Sequence, residues 1–451
     1  MTTLTHLKRP IFAPTPRKVS PHLFTVGVGL LFLLLLFKLG LSSAAHLADP
    51  LRQLIGNEAV AQMESWLFAA QDGAKQLAYA AGLTEPAVPW QAAVVVSPTA
   101  IPTLLPNSPT PTPTTQPLAT VQPIIVIENE AAVRESVTPL PATATPIPSP
   151  TPAPSPTPWQ PAALSPLGSL AGEGAWSPYI LHPNRGEAVA YRTFLQPDEE
   201  RPFTVVAVVA FDLTAVDLNF VLGSEEPSLP GGAQGNGRIA NDDNVAGKLL
   251  AAFNGGFMAT HGEYGAMADG LEVLPPKEGL ATVAIGQDGR IHIGRWGEDI
   301  LPDNDWLAWR QNARLVVEDG AITAETEANS LSYWSGSING EVVTWRSGLG
   351  LSADGRTLFY FAGPSLNMPT LGRAMVTAGV NQGMLLDINP YWVHFTTIHQ
   401  EQESLTAEPL LAEMEQHVDR FLRMYARDFF YITLSAAEQD VPADDAHYNS
   451  K

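Results

Sequence analysis

Three short stretches of this chain carry side chains that could do chemistry. In Ala252-Phe253-Asn254-Gly255-Gly256-Phe257 an apolar strand breaks into an amide and two glycines. Glycines let a ligand approach the backbone closely, and the Asn254 amide could donate to a sugar hydroxyl or a phosphate. In Thr344-Trp345-Arg346-Ser347-Gly348 an arginine enters an otherwise apolar strand, and its guanidinium fork suits a phosphate. In Met384-Leu385-Leu386-Asp387-Ile388-Asn389-Pro390 a carboxylate stands at the end of a buried-strand pattern, next to a loop that would expose it. Each stretch also has a structural reading: a tight turn at Asn254, an internal ion pair at Arg346, a turn-capping carboxylate at Asp387.

Other chemistries are excluded. The chain has no cysteine, which removes thiolate catalysis, disulfide scaffolds and Cys-ligated metal sites. It has 25 basic and 46 acidic residues, a formal charge of −21, which argues against a general nucleic-acid binder but not against a local basic pocket. No Walker A loop, HExxH or GxSxG elbow occurs, and Gly235-Asn236-Gly237 lacks the spacing for dinucleotides. Asp303-Asn304-Asp305 resembles part of a calcium loop but lacks its glycine and terminal glutamate. His394 and His399 lie five apart on a strand and loop, so they share no helical face. No metal site and no cofactor is expected.

The elements that must position these residues read as an α+β domain of mixed or antiparallel sheets with hairpins and a few packed helices, over 168–437. Thr204 to Phe211 is a buried-strand run and Val216 to Leu222 alternates as a half-buried strand. Asp-Gly pairs at 269–270, 288–289, 319–320 and 354–355 supply the positive-φ positions of type I′ hairpins, and their aspartates are turn residues first. Short helices are predicted after Asn241 to about Lys248, from Asn367 to Gly379, and from Thr406 to about Tyr425.

Upstream, a basic leader (1–22) precedes an apolar run at 23–45, long enough to span a bilayer if Lys38 snorkels. Positive-inside bias puts the N-terminus in the cytoplasm and the rest outside, in a single-pass cell-membrane protein. A signal anchor is favoured over a cleaved signal peptide, for which Ser43-Ala44-Ala45 would be the site. Asp49-Pro50 opens an amphipathic helix (49–82) whose stripe Leu51, Ile55, Ala59, Met63, Leu67, Ala70, Ala74, Leu77 and Ala81 could lie on the membrane or on its own copy. About half of the 40 prolines fall in a disordered Pro/Thr/Ser-rich linker (97–167), a semi-rigid spacer; a disordered tail (438–451) follows the domain.

In their order along the chain, the parts resemble the phosphodiester glycosidase family, a group that includes a lysosomal enzyme removing N-acetylglucosamine from a phosphodiester. The resemblance runs from about Thr204 to Leu434. It rests on Asn254-Gly255-Gly256-Phe257, on Gly265 to Gly270 before a hairpin, on Arg346-Ser347-Gly348-Leu349-Gly350, on Leu386-Asp387, and on Arg427 before a terminal strand. One segment departs from the family pattern. Asp387 is followed by Ile388-Asn389-Pro390-Tyr391-Trp392, where the family continues with glycines and a serine.

What the resemblance implies is hydrolysis of a sugar 1-phosphodiester. Asp387 would act as nucleophile or base and Glu263 as acid. Arg346 would clamp the phosphate, Asn254 would orient the sugar, and Gly255, Gly256 and Asn389 would line the substrate. The alternative is a catalytically degenerate module on a stalk, either polysaccharide-binding, with Trp334, Trp345, Tyr391 and Trp392 as stacking surfaces, or structural in the envelope. The expected partners are the membrane through 23–45, a carbohydrate or sugar phosphate, and a second copy through 49–82, with no nucleic acid.

Overall fold

The computed structural model describes residues 57–90, 158–329, 343–401, 404–414 and 416–435. The leader, the anchor at 23–45, the linker up to residue 157, Trp334 and the tail lie outside the described residues. Among those residues no helix is long and apolar enough to cross a membrane.

The core is organised by a central sheet of eight described strands. Their order is Ser177–Leu181, Ala188–Leu195, Val206–Asp212, Thr357–Leu366, Thr344–Ser352, Val380–Ile388, Leu315–Glu318 and Ala321–Ile322, all paired antiparallel. Both faces are covered, which explains why Val206–Asp212 reads as continuous apolar sequence. Val206, Val208 and Ala210 face one way, into a core with Leu371, Ala374 and Met375 of the helix Met368–Ala378. Ala207, Val209 and Phe211 face the other way, toward two further sheets. One has the order Ser404–Pro409, Phe395–Glu401, Leu249–Asn254, Phe429–Leu434, Val216–Val221; the other has Leu271–Leu274, Ala266–Ala268, Trp306–Asn312, Ala281–Gly286, Ile291–Arg295. Phe253 is fully buried at the centre of this second core, with ring centroids 4.9 Å from Tyr360, 5.6 Å from Phe430 and 6.0 Å from Phe395.

All four Asp-Gly pairs join neighbouring antiparallel strands. At Asp269-Gly270 and Asp319-Gly320 both residues have positive φ, as a type I′ turn demands; at 288–289 and 354–355 only the glycine does. The helix predicted between Asn367 and Gly379 forms as Met368–Ala378. The Asn367 side chain accepts from Thr370 N, and Gly379 closes the helix in the left-handed region, φ 91°.

Three local expectations are corrected. Residues 241–247 form turns rather than a helix. The helix predicted from Thr406 is replaced by the strand Ser404–Pro409 and two short 3-10 turns, because Phe395–Glu401 takes that segment as its antiparallel neighbour. This is a tertiary override of local propensity.

The amphipathic helix forms as Asn57–Ala80, but it turns a different face inward from the predicted stripe: Val60, Phe68 and Asp72 are buried and Leu77 is exposed. Asp72 receives Arg201 through Nε and Nη2 at 3.0–3.1 Å. Lys75 Nζ donates to Ser365 Oγ at 3.1 Å, and Tyr79 meets Phe203 at 5.7 Å between centroids. A paired carboxylate is therefore part of the packing face, which hydrophobic periodicity cannot register.

Removing the aromatic hub should unsettle the sheets it joins. Phe253→Ala is expected to lower stability by about 3–5 kcal/mol, read from the midpoint of denaturant unfolding.

Candidate active site

Asp387 is the penultimate residue of its strand, and a register shift opposite Arg346 and Gly348 turns Ser347 beneath it. Ser347 Oγ accepts from Asp387 N at 3.2 Å and lies 3.3 Å from Asp387 O, so both polar backbone atoms of Asp387 touch one hydroxyl. Asn254 Nδ2 donates to the same Oγ at 2.9 Å from the facing sheet. Asn254 Oδ1 accepts from Tyr360 Oη at 2.9 Å and from His394 N at 3.1 Å. Phe429 pairs with Asn254 in the register of that sheet, which brings Arg427 and Asp428 alongside Gly255 and Gly256.

The Asp387 side chain is almost wholly enclosed. Oδ2 receives Arg427 Nη2 at 2.7 Å, and Oδ1 receives the amide of Ile388 at 2.8 Å. Burial raises its carboxyl to about 7, against the pull of Arg427 and of the Ile388 amide. Burial works against the Arg427 charge too, but Asp387 and Asp428 hold that guanidinium above its ordinary value. At 2.7 Å the pair is an ion pair once Asp387 is deprotonated. Arg427 Nη2 also donates to Gly256 O at 2.7 Å, and Trp392 lies over the guanidinium at 4.4 Å. Among the described residues the other Arg427 nitrogens have no hydrogen-bond partner, so part of the fork is open to an anion.

A second charge pair supports the first. Arg310 Nε meets Asp428 Oδ2 at 2.8 Å, with both side chains fully buried. Arg310 also donates to the carbonyls of Tyr264, Gln311 and Phe257. Asp428 Oδ2 accepts from Gly256 N at 3.0 Å, and Gly255 N donates to Asp428 O at 3.1 Å. A Cβ on Gly255 would stand 2.2 Å from that carboxylate, and one on Gly256 would stand 3.0 Å from the guanidinium. The glycines are needed for close approach, and what approaches them is an internal ion pair.

The structure therefore gathers Asp387, Asn254, Gly255 and Gly256 around Arg427. Arg346 lies on the same strand as Ser347, with a side chain that runs separately: buried, donating through Nε to Leu366 O at 2.9 Å, and pushed down by burial to about 9. Glu263 is exposed in a left-handed turn, φ 47°, with Lys277 Nζ at 3.9 Å. Asn389, φ 89°, caps its own turn, accepting from Tyr391 N at 2.9 Å. No group of three or more His, Asp or Glu side chains is arranged to hold a metal ion among the described residues.

Four participants escape the motif reading. Arg310 carries the same signal as Arg346, a cation inside an apolar strand, and could have been found by it. Asp428 sits one residue after the recognised Arg427. Ser347 is a small hydroxyl with no distinguishing context. Glu226 lies in a turn-rich segment; its Oε2 accepts from Ala259 N at 2.7 Å and burial raises its carboxyl. Arg427, Asp428 and Arg310 act electrostatically on both Glu226 and Asp387, so the two carboxyls share one charged neighbourhood.

A buried carboxyl raised to about 7 and a partly open guanidinium meet at the ends of antiparallel strands, an arrangement able to act on an anionic ester or acetal. Residues 247–387 match the phosphodiester glycosidase family, which bears out the resemblance read from the sequence. No curated protein matches the chain. Solved structures similar to it include the catalytic domain of zebrafish N-acetylglucosamine-1-phosphodiester alpha-N-acetylglucosaminidase, auto-inhibited by its pro-peptide (16% identity, TM-score 0.35, 57% of this chain and 87% of that one). They also include a hypothetical protein from Synechocystis (9%, TM-score 0.33, 55% and 62%) and a putative exported protein from Burkholderia pseudomallei (11%, TM-score 0.25, 51% and 74%).

Removing one member of a buried pair leaves the other uncompensated. Arg310→Met is expected to cost about 3–5 kcal/mol in urea unfolding. Adding Asp428→Leu to that variant should recover part of the loss, which a double-mutant cycle measures.

Proposed function

We propose that the folded domain hydrolyses a sugar 1-phosphodiester or a related envelope glycan linkage, held outside the cell membrane by an anchor at 23–45. The observation that carries this reading is the contact of Asp387, where the family match ends, with Arg427 at 2.7 Å. Cleavage at the anomeric carbon leaves that carbon electron-poor and sends the bonding pair to a phosphate oxygen. Ionised Asp387 attacks the anomeric carbon or activates the water that does so. Arg427 neutralises the phosphate as it departs, the role first assigned to Arg346. Glu226, whose carboxyl is raised by burial, supplies the proton to the leaving oxygen; Glu263 faces solvent and Lys277 instead. Asn254 works through the protein, bracing the Ser347 hydroxyl and the His394 peptide.

A non-catalytic glycan-binding module is the second reading. It is favoured by the Ile388–Trp392 segment, which places an indole over Arg427.

The readings separate on turnover. The full-length protein should release free sugar from a sugar 1-phosphodiester, and Asp387→Asn should slow this by about 10²–10⁴-fold. Binding of glycan with no release by the wild-type protein would establish the second reading. The working form of Asp387 is the ionised one, so kcat/KM should fall as pH drops below about 7, the limb belonging to the carboxyl raised by burial.

A further inference from the structure

Where the strand Val380–Ile388 ends, the chain turns back over the groups that hold Asp387. Asn389 stands in the left-handed region at φ 89°, a conformation that residues other than glycine adopt at a cost. Its N–H donates to Trp345 O at 3.1 Å, and its carbonyl accepts from Trp392 N at 3.2 Å and Val393 N at 3.1 Å. Arg420 Nη1 donates to Tyr391 O at 2.9 Å, and the Arg420 guanidinium lies 5.4 Å from the Tyr391 ring centroid. The Tyr391 and Trp392 rings meet edge to face at 4.6 Å. The turn is bulky, braced on both sides, and strained at its first residue.

Its last side chain is aimed at the site. The Trp392 ring lies 4.4 Å from the Arg427 guanidinium, whose Nη2 donates to Asp387 Oδ2 and to Gly256 O, each at 2.7 Å. An arginine has several rotatable bonds, and a π face on one side with acceptors at one nitrogen leaves its fork a single plane. Arg427 is 6% exposed and Asp387 4%, while Trp392 is only half-buried. The indole is therefore the boundary between that pair and solvent on its side. The other titratable groups around Asp387 stand on different elements: Asp428 beside Arg427, Arg310 on Trp306–Asn312 and Tyr360 on Thr357–Leu366. Glu226 shares Arg427, Asp428 and Arg310 with it. Replacing Trp392 alters none of these.

We propose that Trp392 is a positioning residue for the hydrolysis: its indole holds the Arg427 fork edge-on to Asp387 and to the departing phosphate, and keeps water off that pair. The inference rests on the glycosidase reading for what the pair does, and on the contacts of the turn for how it is held.

The test uses the full-length protein with Trp392→Ala and Trp392→Phe and two readouts. One is kcat and KM on a sugar 1-phosphodiester. The other is the titration of the Asp387 carboxyl by difference infrared spectroscopy, its band assigned by its loss in Asp387→Asn. Trp392→Ala should lower kcat about tenfold and change KM by no more than about threefold, because the indole acts as charge develops on the leaving phosphate. Trp392→Phe keeps a π face and should recover most of that loss. Burial is the largest influence on Asp387 and raises it, while Arg427 opposes the rise. Water admitted by Trp392→Ala weakens both, so the net rise shrinks and the midpoint moves below about 7, which Trp392→Phe retains. An unchanged kcat, an unchanged or raised midpoint in Trp392→Ala, or equal effects of Ala and Phe overturns the proposal. Should Trp392→Ala fail to fold, Trp392→Leu, which keeps bulk without a π face, is read in the same two ways. A wild type without turnover removes the glycosidase reading alone, and the infrared midpoints still judge whether the indole governs the pair.

Discussion

The fully buried pair Arg310–Asp428 is the constraint on which the rest of the structure depends. It joins the sheet containing Trp306–Asn312 to the sheet containing Phe429–Leu434, and it lies against Gly255 and Gly256. Two charges this deep are tolerable only if each is paired and hydrogen-bonded. Arg310 meets that condition with backbone carbonyls, and Asp428 meets it at Oδ2 with the Gly256 amide, while its buried Oδ1 has no hydrogen-bond partner among the described residues. Asn312, two residues from Arg310, reaches the central sheet through the carbonyls of Leu385 and Leu386 at 2.9 and 2.6 Å. One short strand end thus ties three sheets together beside Asp387.

The same arrangement accounts for the electrostatics of the site. Asp387 is raised by loss of water and only partly restored by Arg427. Arg427 keeps its charge because it sits between Asp387 and Asp428. Asn254, Ser347 and Tyr360 add a neutral hydrogen-bonded bridge between the central sheet and its neighbour. Networks of this kind hold side chains to one geometry because any displacement leaves several buried groups unsatisfied.

Much of the fold was legible. Strand runs, the Asp-Gly hairpins and the Asn367-capped helix follow from backbone preferences that act within a few residues. Failures occurred where a distant segment decided the outcome. Residues 404–409 became a strand because Phe395–Glu401 needed a neighbour. Helix 57–80 turned Phe68 and Asp72 inward because the domain offered Arg201. The site divides in the same way. Asp387, Asn254 and the two glycines were visible as breaks in apolar runs. Arg346 and Arg310 were equivalent as sequence, and only packing made one a partner of Leu366 O and the other of a carboxylate.

By itself, then, the sequence determined a strand-rich α+β domain, its hairpins and a carboxylate at a strand end, since pattern and turn chemistry are local. Tertiary structure alone decided which cation faces that carboxylate and which buried charges it shares with Glu226. Those are matters of distance between residues far apart in the chain, such as the 40 positions from Asp387 to Arg427, and of the water that packing removes from between them.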